Sequence, residues 1–120
     1  MRFSSICLIT DNVLALTRFY EQLLQTTSEG SEIHMELKTE GAGLAIYSRE
    51  AAKEDMTLYF EKGKTNFTMG FLVEDVDAEY ERLENLGVDI LNTPKTYPWG
   101  ARSMQVRDLD GNVISLACRI

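Results

Sequence analysis

The chain has few of the side chains that hold transition metals: one histidine, His34, and two cysteines, Cys7 and Cys118, among 120 residues. The cysteines stand far apart in apolar stretches, without the close pairing of a zinc site. Buried free thiols in a reducing compartment are the default reading. Basic residues are also scarce, 12 against 19 acidic, for a formal charge of −7. That balance argues against nucleic acid, because neutralising phosphates requires clustered Lys and Arg. It is compatible with a cationic ligand. No apolar run approaches the roughly 18 residues of a membrane span. The apolar stretch in MRFSSICLIT is too short for a signal-peptide core. The expected location is therefore the cytoplasm. Only two prolines interrupt the sequence. Its length predicts one domain with enough core to fold without metal or disulfides.

What is present is a repeated order of elements. Phe3 to Thr10 reads as a strand, and Asp11 as an N-cap. Val13, Leu16, Phe19, Tyr20 and Leu23 recur at three- and four-residue spacing, which predicts an amphipathic helix. Strands are then expected at Thr26 to Gly30, Ile33 to Lys38 and Gly43 to Ser48. Residues 49–65 are charged, with an apolar patch at Met56, Leu58, Tyr59 and Phe60. They read as a connector that holds a short strand or helix. The order then begins again. Phe67 to Val73 is a strand and Asp75 an N-cap. Val76, Tyr80, Leu83 and Leu86 form a helix stripe, closed by Gly87 at C′. Strands follow at Asp89 to Leu91, Arg102 to Arg107 and Asn112 to Ile120. Asp108-Leu109-Asp110-Gly111-Asn112 supplies the turn between the last two. At an offset of 64, Phe3 meets Phe67, Leu8 meets Leu72 and Asp11 meets Asp75. The fold class expected is α+β: two tandem βαβββ modules, 1–48 and 66–120, joined by the connector 49–65.

Three stretches carry a family resemblance: ITDNVLALTRFYEQLL, FLVEDVDAEYERLENLGV and YPWGARSMQVRDLDGNVISL. They resemble the vicinal oxygen chelate superfamily of glyoxalases, extradiol dioxygenases and bleomycin-resistance proteins. Leu109 stands where the family hairpin has proline. The resemblance implies a mixed sheet curled around a cavity, with the helices on the outer face. It also implies metal-ligand positions on the first and last strands of each module. Counted back from the helix-starting aspartates, the first-strand positions fall on Ser4 and Thr68; the last-strand position of module two is three residues past Asn112, at Ser115, with its counterpart in module one near Ala45. All four are poor ligands, since such metals take imidazole, carboxylate or thiolate. No cofactor is therefore expected. The alternative is a glyoxalase- or dioxygenase-like metalloenzyme with non-standard ligands around His34 and Glu36, which share a strand face. Ser115 has no identifiable base, which leaves nucleophilic catalysis unsupported.

Alternation predicts what lines the cavity: Ser4, Ile6, Leu8, Thr68, Gly70 and Leu72 from the first strands. Gly43, Ala45, Tyr47, Val113, Ser115 and Ala117 come from the last strands. The same alternation turns Cys7 under the helix. Tyr97 and Trp99 form an aromatic lip. A roomy apolar pocket with scattered hydroxyls suits a small molecule. Aromatic walls suit a flat or cationic one. The ligand-binding residues expected are thus Ser4, Ile6, Leu8, Tyr47, Thr68, Leu72, Tyr97, Trp99 and Ser115. The resemblance to bleomycin-resistance proteins implies metal-independent binding and a homodimer, and an exposed patch of Met56, Leu58, Tyr59 and Phe60 would suit an interface or lid.

Overall fold

The computed structural model describes residues 1–120, in three helices and nine strands. The chain forms two compact units, Met1–Lys62 and Gly63–Ile120. No helix is long and apolar enough to cross a membrane.

In the first unit, β1 (Ser5–Thr10) leads into α1 (Val13–Leu24). β2 (Ser28–Gly30), β3 (His34–Leu37), β4 (Gly43–Ser48) and α2 (Arg49–Met56) follow. The sheet order is β1-β4-β3-β2, with β1 parallel to β4 and the other pairs antiparallel. Helix α1 forms because Val13, Leu16, Tyr20 and Leu23 make one apolar stripe, and all four are buried. The stripe packs against the sheet, where Leu8, Leu37, Leu44 and Ile46 are buried in turn. Its N-cap is Asn12, whose Oδ1 accepts the Ala15 N–H at 3.0 Å. Asp11, the expected cap, instead pairs with Arg49 at 2.8 Å and Lys62 at 3.4 Å.

This one-residue difference has a large effect. In β1, Leu8 and Thr10 are 3% and 2% exposed and face the core, whereas Cys7 is exposed. Ile6 and Leu8 pair with Leu44 and Ile46, so they lie on the helix side of the sheet. Ser4 precedes β1 and is exposed. The expectation that Ser4, Ile6 and Leu8 line the open face, with Cys7 beneath the helix, is therefore reversed. Ser5, Cys7 and Ile9 point away from α1. Side chains alternate along a strand with a period of two, so a one-residue shift moves every side chain to the other face.

In the second unit, β5 (Thr68–Leu72) leads into α3 (Val76–Asn85), followed by β6 (Asp89–Ile90), β7 (Lys95–Tyr97), β8 (Ala101–Arg107) and β9 (Val113–Arg119). The order is β5-β9-β8-β6, and β7 also pairs with β8. β5 runs parallel to β9, and the other pairs are antiparallel. Asp75 caps α3 by accepting the Ala78 N–H at 3.1 Å. Val76 and Leu83 are fully buried, as are Met104, Val106 and Ile114 of the sheet. Aligning the two N-caps, Asn12 on Asp75, sets the repeat offset at 63 rather than 64. Val13 then meets Val76, Ala15 meets Ala78, Glu21 meets Glu84 and Leu23 meets Leu86.

The strand β7 was not expected. It lies between Pro94 and Pro98, and its three residues pair only with β8. Between β6 and β7 the ladder is bridged by Asn92. Its Oδ1 accepts the Gln105 backbone N–H at 2.8 Å, and its Nδ2 donates to Gln105 Oε1 at 2.7 Å. The connector resolves into α2, capped by Ser48, and an extension in which Leu58, Tyr59 and Phe60 stay exposed. Arg49 ties that extension to the first unit by donating to Asp11 and to the Phe60 carbonyl.

Candidate functional site

Each sheet has one face covered by a helix and one turned away from it. Residues paired in register share a face, so the open faces can be read row by row. In the first unit the open face carries Ser5 with Gly43, then Cys7, Ala45, Glu36 and Glu29, then Ile9, Tyr47 and His34. Ser5, Glu36, Gly43 and Ala45, with Leu37 and Leu44, line a cavity of about 160 Å³. That is below the ~300 Å³ of a typical ligand pocket. His34 packs edge-on against Tyr47, with ring centroids 5.6 Å apart. The Tyr47 hydroxyl donates to Asp55 of α2 at 3.1 Å. Burial and the Asp55 carboxylate both raise the Tyr47 pKa, so the phenol stays neutral. Cys7 is exposed as a residue, but its sulfur is shielded enough that burial raises the thiol pKa. It lies in the thiol form at neutral pH, which makes it a poor nucleophile.

In the second unit the rows are fuller. One holds Tyr97, Ala101 and Arg119. The next holds Lys95, Ser103, Ala117 and Leu72. A third holds Gln105, Ser115 and Gly70, and the last Asp89, Arg107, Val113 and Thr68. Five expected residues thus belong to one surface. Thr68, Leu72 and Ser115 share the face, and Tyr97 and Trp99 close one end of it. Tyr47 belongs to the face of the first unit, and Ile6 and Leu8 to neither.

The aromatic end is built by a tight turn. The Gly100 N–H donates to the Tyr97 carbonyl at 3.1 Å, and Gly100 has φ of +86°. Trp99 is not at positive φ, so the turn is type I followed by a left-handed glycine, the usual three-residue hairpin loop. Pro98 fits position i+1 because its ring fixes φ near −65°. The turn sets Trp99 against Tyr97 in a parallel stack, with centroids 4.7 Å apart and planes 15° apart. Trp99 remains 74% exposed. Lys95 Nζ lies 5.2 Å from the Tyr97 ring centroid, within cation–π range.

In the middle of the face the polar groups hydrogen-bond to one another. Gln105 Nε2 donates to Ser115 Oγ at 3.0 Å and approaches Ser103 Oγ at 3.5 Å. Its Oε1 is held by Asn92. Asn92, Lys95, Gln105 and Arg119 were absent from the sequence expectation. Missing β7 hid Lys95. Gln105 and Arg119 could have been found by continuing the alternation from Ser103 and Ser115.

Do these residues fit a metal ion? With the N-cap at Asn12, the first-strand position of module one moves from Ser4 to Ser5. The other positions remain Ala45, Thr68 and Ser115. Hydroxyls and a methyl do not make a site for a transition metal. Ser115 already accepts a hydrogen bond from a neutral amide. Cys7, Glu36 and His34 share an open face but do not converge. Among the described residues, no three His, Cys, Asp or Glu side chains form a group able to hold an ion. The donor set does not fit the transition-metal site that the family resemblance implies.

Two tandem βαβββ-type units, each with a helix-covered mixed sheet, define a glyoxalase-like architecture. The chain belongs to the Glyoxalase/Bleomycin resistance protein/Dioxygenase superfamily, whose profile matches residues 2–116. Among solved structures it is similar to a glyoxalase/bleomycin resistance protein/dioxygenase family enzyme from Burkholderia phytofirmans PsJN, with a TM-score of 0.87 and 18% identity over all of both chains. A glyoxalase-related enzyme from Fulvimarina pelagi gives 0.86 and 20% identity, over 99% of this chain and 88% of that one. Lactoylglutathione lyase from Agrobacterium tumefaciens gives 0.78 and 17%, over 98% and 92%. Likeness at these identities speaks for the fold alone. No curated protein matches the sequence.

Proposed function

We propose that this protein binds a small molecule with a flat ring, without a metal ion, and holds or carries it rather than converting it. The observation that carries the reading is the open face of the second unit. A Tyr97–Trp99 stack with the indole exposed stands at one end, and a hydrogen-bonded Ser115–Gln105–Asn92 group includes the last-strand position where the resemblance implies a metal ligand. Stacking on an exposed indole gives affinity and tolerates varied rings. Thr68 and Ser115 supply hydroxyls, and Leu72, 79% exposed, supplies apolar contact.

Trp99 is the only tryptophan, so its fluorescence reports this face alone. Titration with flat bicyclic aromatics should quench or shift its emission in a saturable way. In calorimetry, Trp99→Ala should weaken binding about tenfold, the value of one good aromatic contact. Binding indifferent to Trp99→Ala would overturn the reading.

A further inference from the structure

We infer that the ligand of the second-unit face is an aromatic anion: a ring system bearing a carboxylate or a similar acidic group. The inference rests on the reading of that face as a ligand site, and it names the charge the face selects.

Three observations support it. The first is local charge. The chain carries a formal charge of −7, yet the registers place three basic residues on this face, Lys95, Arg107 and Arg119, and one acidic residue, Asp89. Asp89 lies directly opposite Arg107, in the row farthest from the aromatic stack. The end beside Tyr97 and Trp99 therefore carries Lys95 and Arg119 with no carboxylate in either row. A basic patch on an acidic molecule favours anions locally while the remaining surface repels them.

The second is the state of the Tyr97 ring. Cations and aromatic faces attract, so a Tyr–Trp pair with an exposed indole alone would suit a cationic guest. Here Lys95 already occupies that role on Tyr97, at 5.2 Å, and Trp99 stacks on the same ring. An incoming cation would meet the ammonium. An incoming anion would meet it as a partner, 5.2 Å from the Tyr97 ring centroid.

The third is the polarity of the central hydroxyl. Ser115 Oγ accepts from Gln105 Nε2, which leaves it an O–H to donate and one further lone pair. A donor at that point matches an oxygen-rich acidic group. The three features lie in successive rows, so one ligand can place its ring on Trp99 and its acidic group toward Lys95.

A matched series tests this: 2-naphthoate, its neutral amide, and 2-naphthylmethylammonium, titrated by calorimetry at low and high salt. The carboxylate should bind at least tenfold tighter than the amide, and salt should reduce the difference. In Lys95→Gln/Arg119→Gln the carboxylate-to-amide ratio should fall to about one. Equal affinities for carboxylate and amide, tighter binding of the ammonium compound, or a ratio that survives the double substitution would overturn the anion inference and leave ring binding standing. If no member of the series binds, the ligand-site reading itself falls, and the inference with it.

Discussion

Replacing Leu8 or Cys7 with alanine distinguishes the two possible faces of β1. Leu8 is 3% exposed, on the side of β1 that faces α1 and pairs with Ile46. Truncation to alanine removes about three carbons from the core, worth about 2 kcal/mol of lost transfer energy. The unfilled space adds to this, and the total for such sites is about 3–4 kcal/mol. With an m-value of about 1.5 kcal/mol/M, the urea midpoint should fall by about 2 M. Cys7 is the adjacent residue and is exposed. Its truncation should change stability by less than about 0.5 kcal/mol. Urea unfolding followed by circular dichroism reads both variants. A large loss for Cys7→Ala with a small one for Leu8→Ala would mean that β1 presents the opposite face. The description of the first-unit open face would then be wrong.

Three further outcomes follow from the second unit. Asp108 is 5% exposed, and its carboxylate accepts the N–H groups of Asp110 and Asn112 and the Asn112 side-chain amide, at 2.8–2.9 Å. Asp108→Ala should cost about 2–3 kcal/mol in chemical denaturation, and Asp108→Asn, which keeps an acceptor oxygen, clearly less. Arg102 holds Asp77 through two hydrogen bonds of 2.8 Å, which lowers the Asp77 pKa below the usual carboxylate value. A lowered folded-state pKa gives stability that is complete above about pH 4 and lost as pH falls through the folded value. Asp77→Asn should therefore flatten the acid limb of Tm against pH below about 4 and leave its slope near neutrality unchanged. At Gly100 an added Cβ meets open space, so the cost of Gly100→Ala comes from the +86° φ alone, about 1–2 kcal/mol. The near-ultraviolet signal of the Tyr97–Trp99 stack should weaken along with it.

Much of the fold was legible because it rests on local chemistry. The stripes Val13–Leu16–Tyr20–Leu23 and Val76–Leu83 have helical spacing, and the structure buries them as that spacing requires. The Asp108–Asn112 turn was legible for the same reason: Gly111 takes φ of +86°, and Asp108 caps its own loop. What escaped depended on tertiary partners or on a near tie. Strand β7 has three residues between two prolines and gains its hydrogen bonds from β8. Asp11 and Asn12 are both good N-caps, and nothing local separates them. Yet that choice decides whether Leu8 or Cys7 is buried. Of the expected ligand residues, those of the second unit kept their face because Asp75 is indeed the cap. Ser4, Ile6 and Leu8 lost theirs through the single-residue shift. The polar group around Gln105 needed Asn92, which only the β6–β7 bridge brings into reach.

The central claim is that the second-unit face binds its aromatic ligand with its own side chains. The direct test is the dissociation constant of 2-naphthoate, read from Trp99 fluorescence before and after exhaustive chelation, and again after adding back divalent ions. The account predicts the same constant in all three conditions. Binding that disappears on chelation and returns with one particular ion would contradict it.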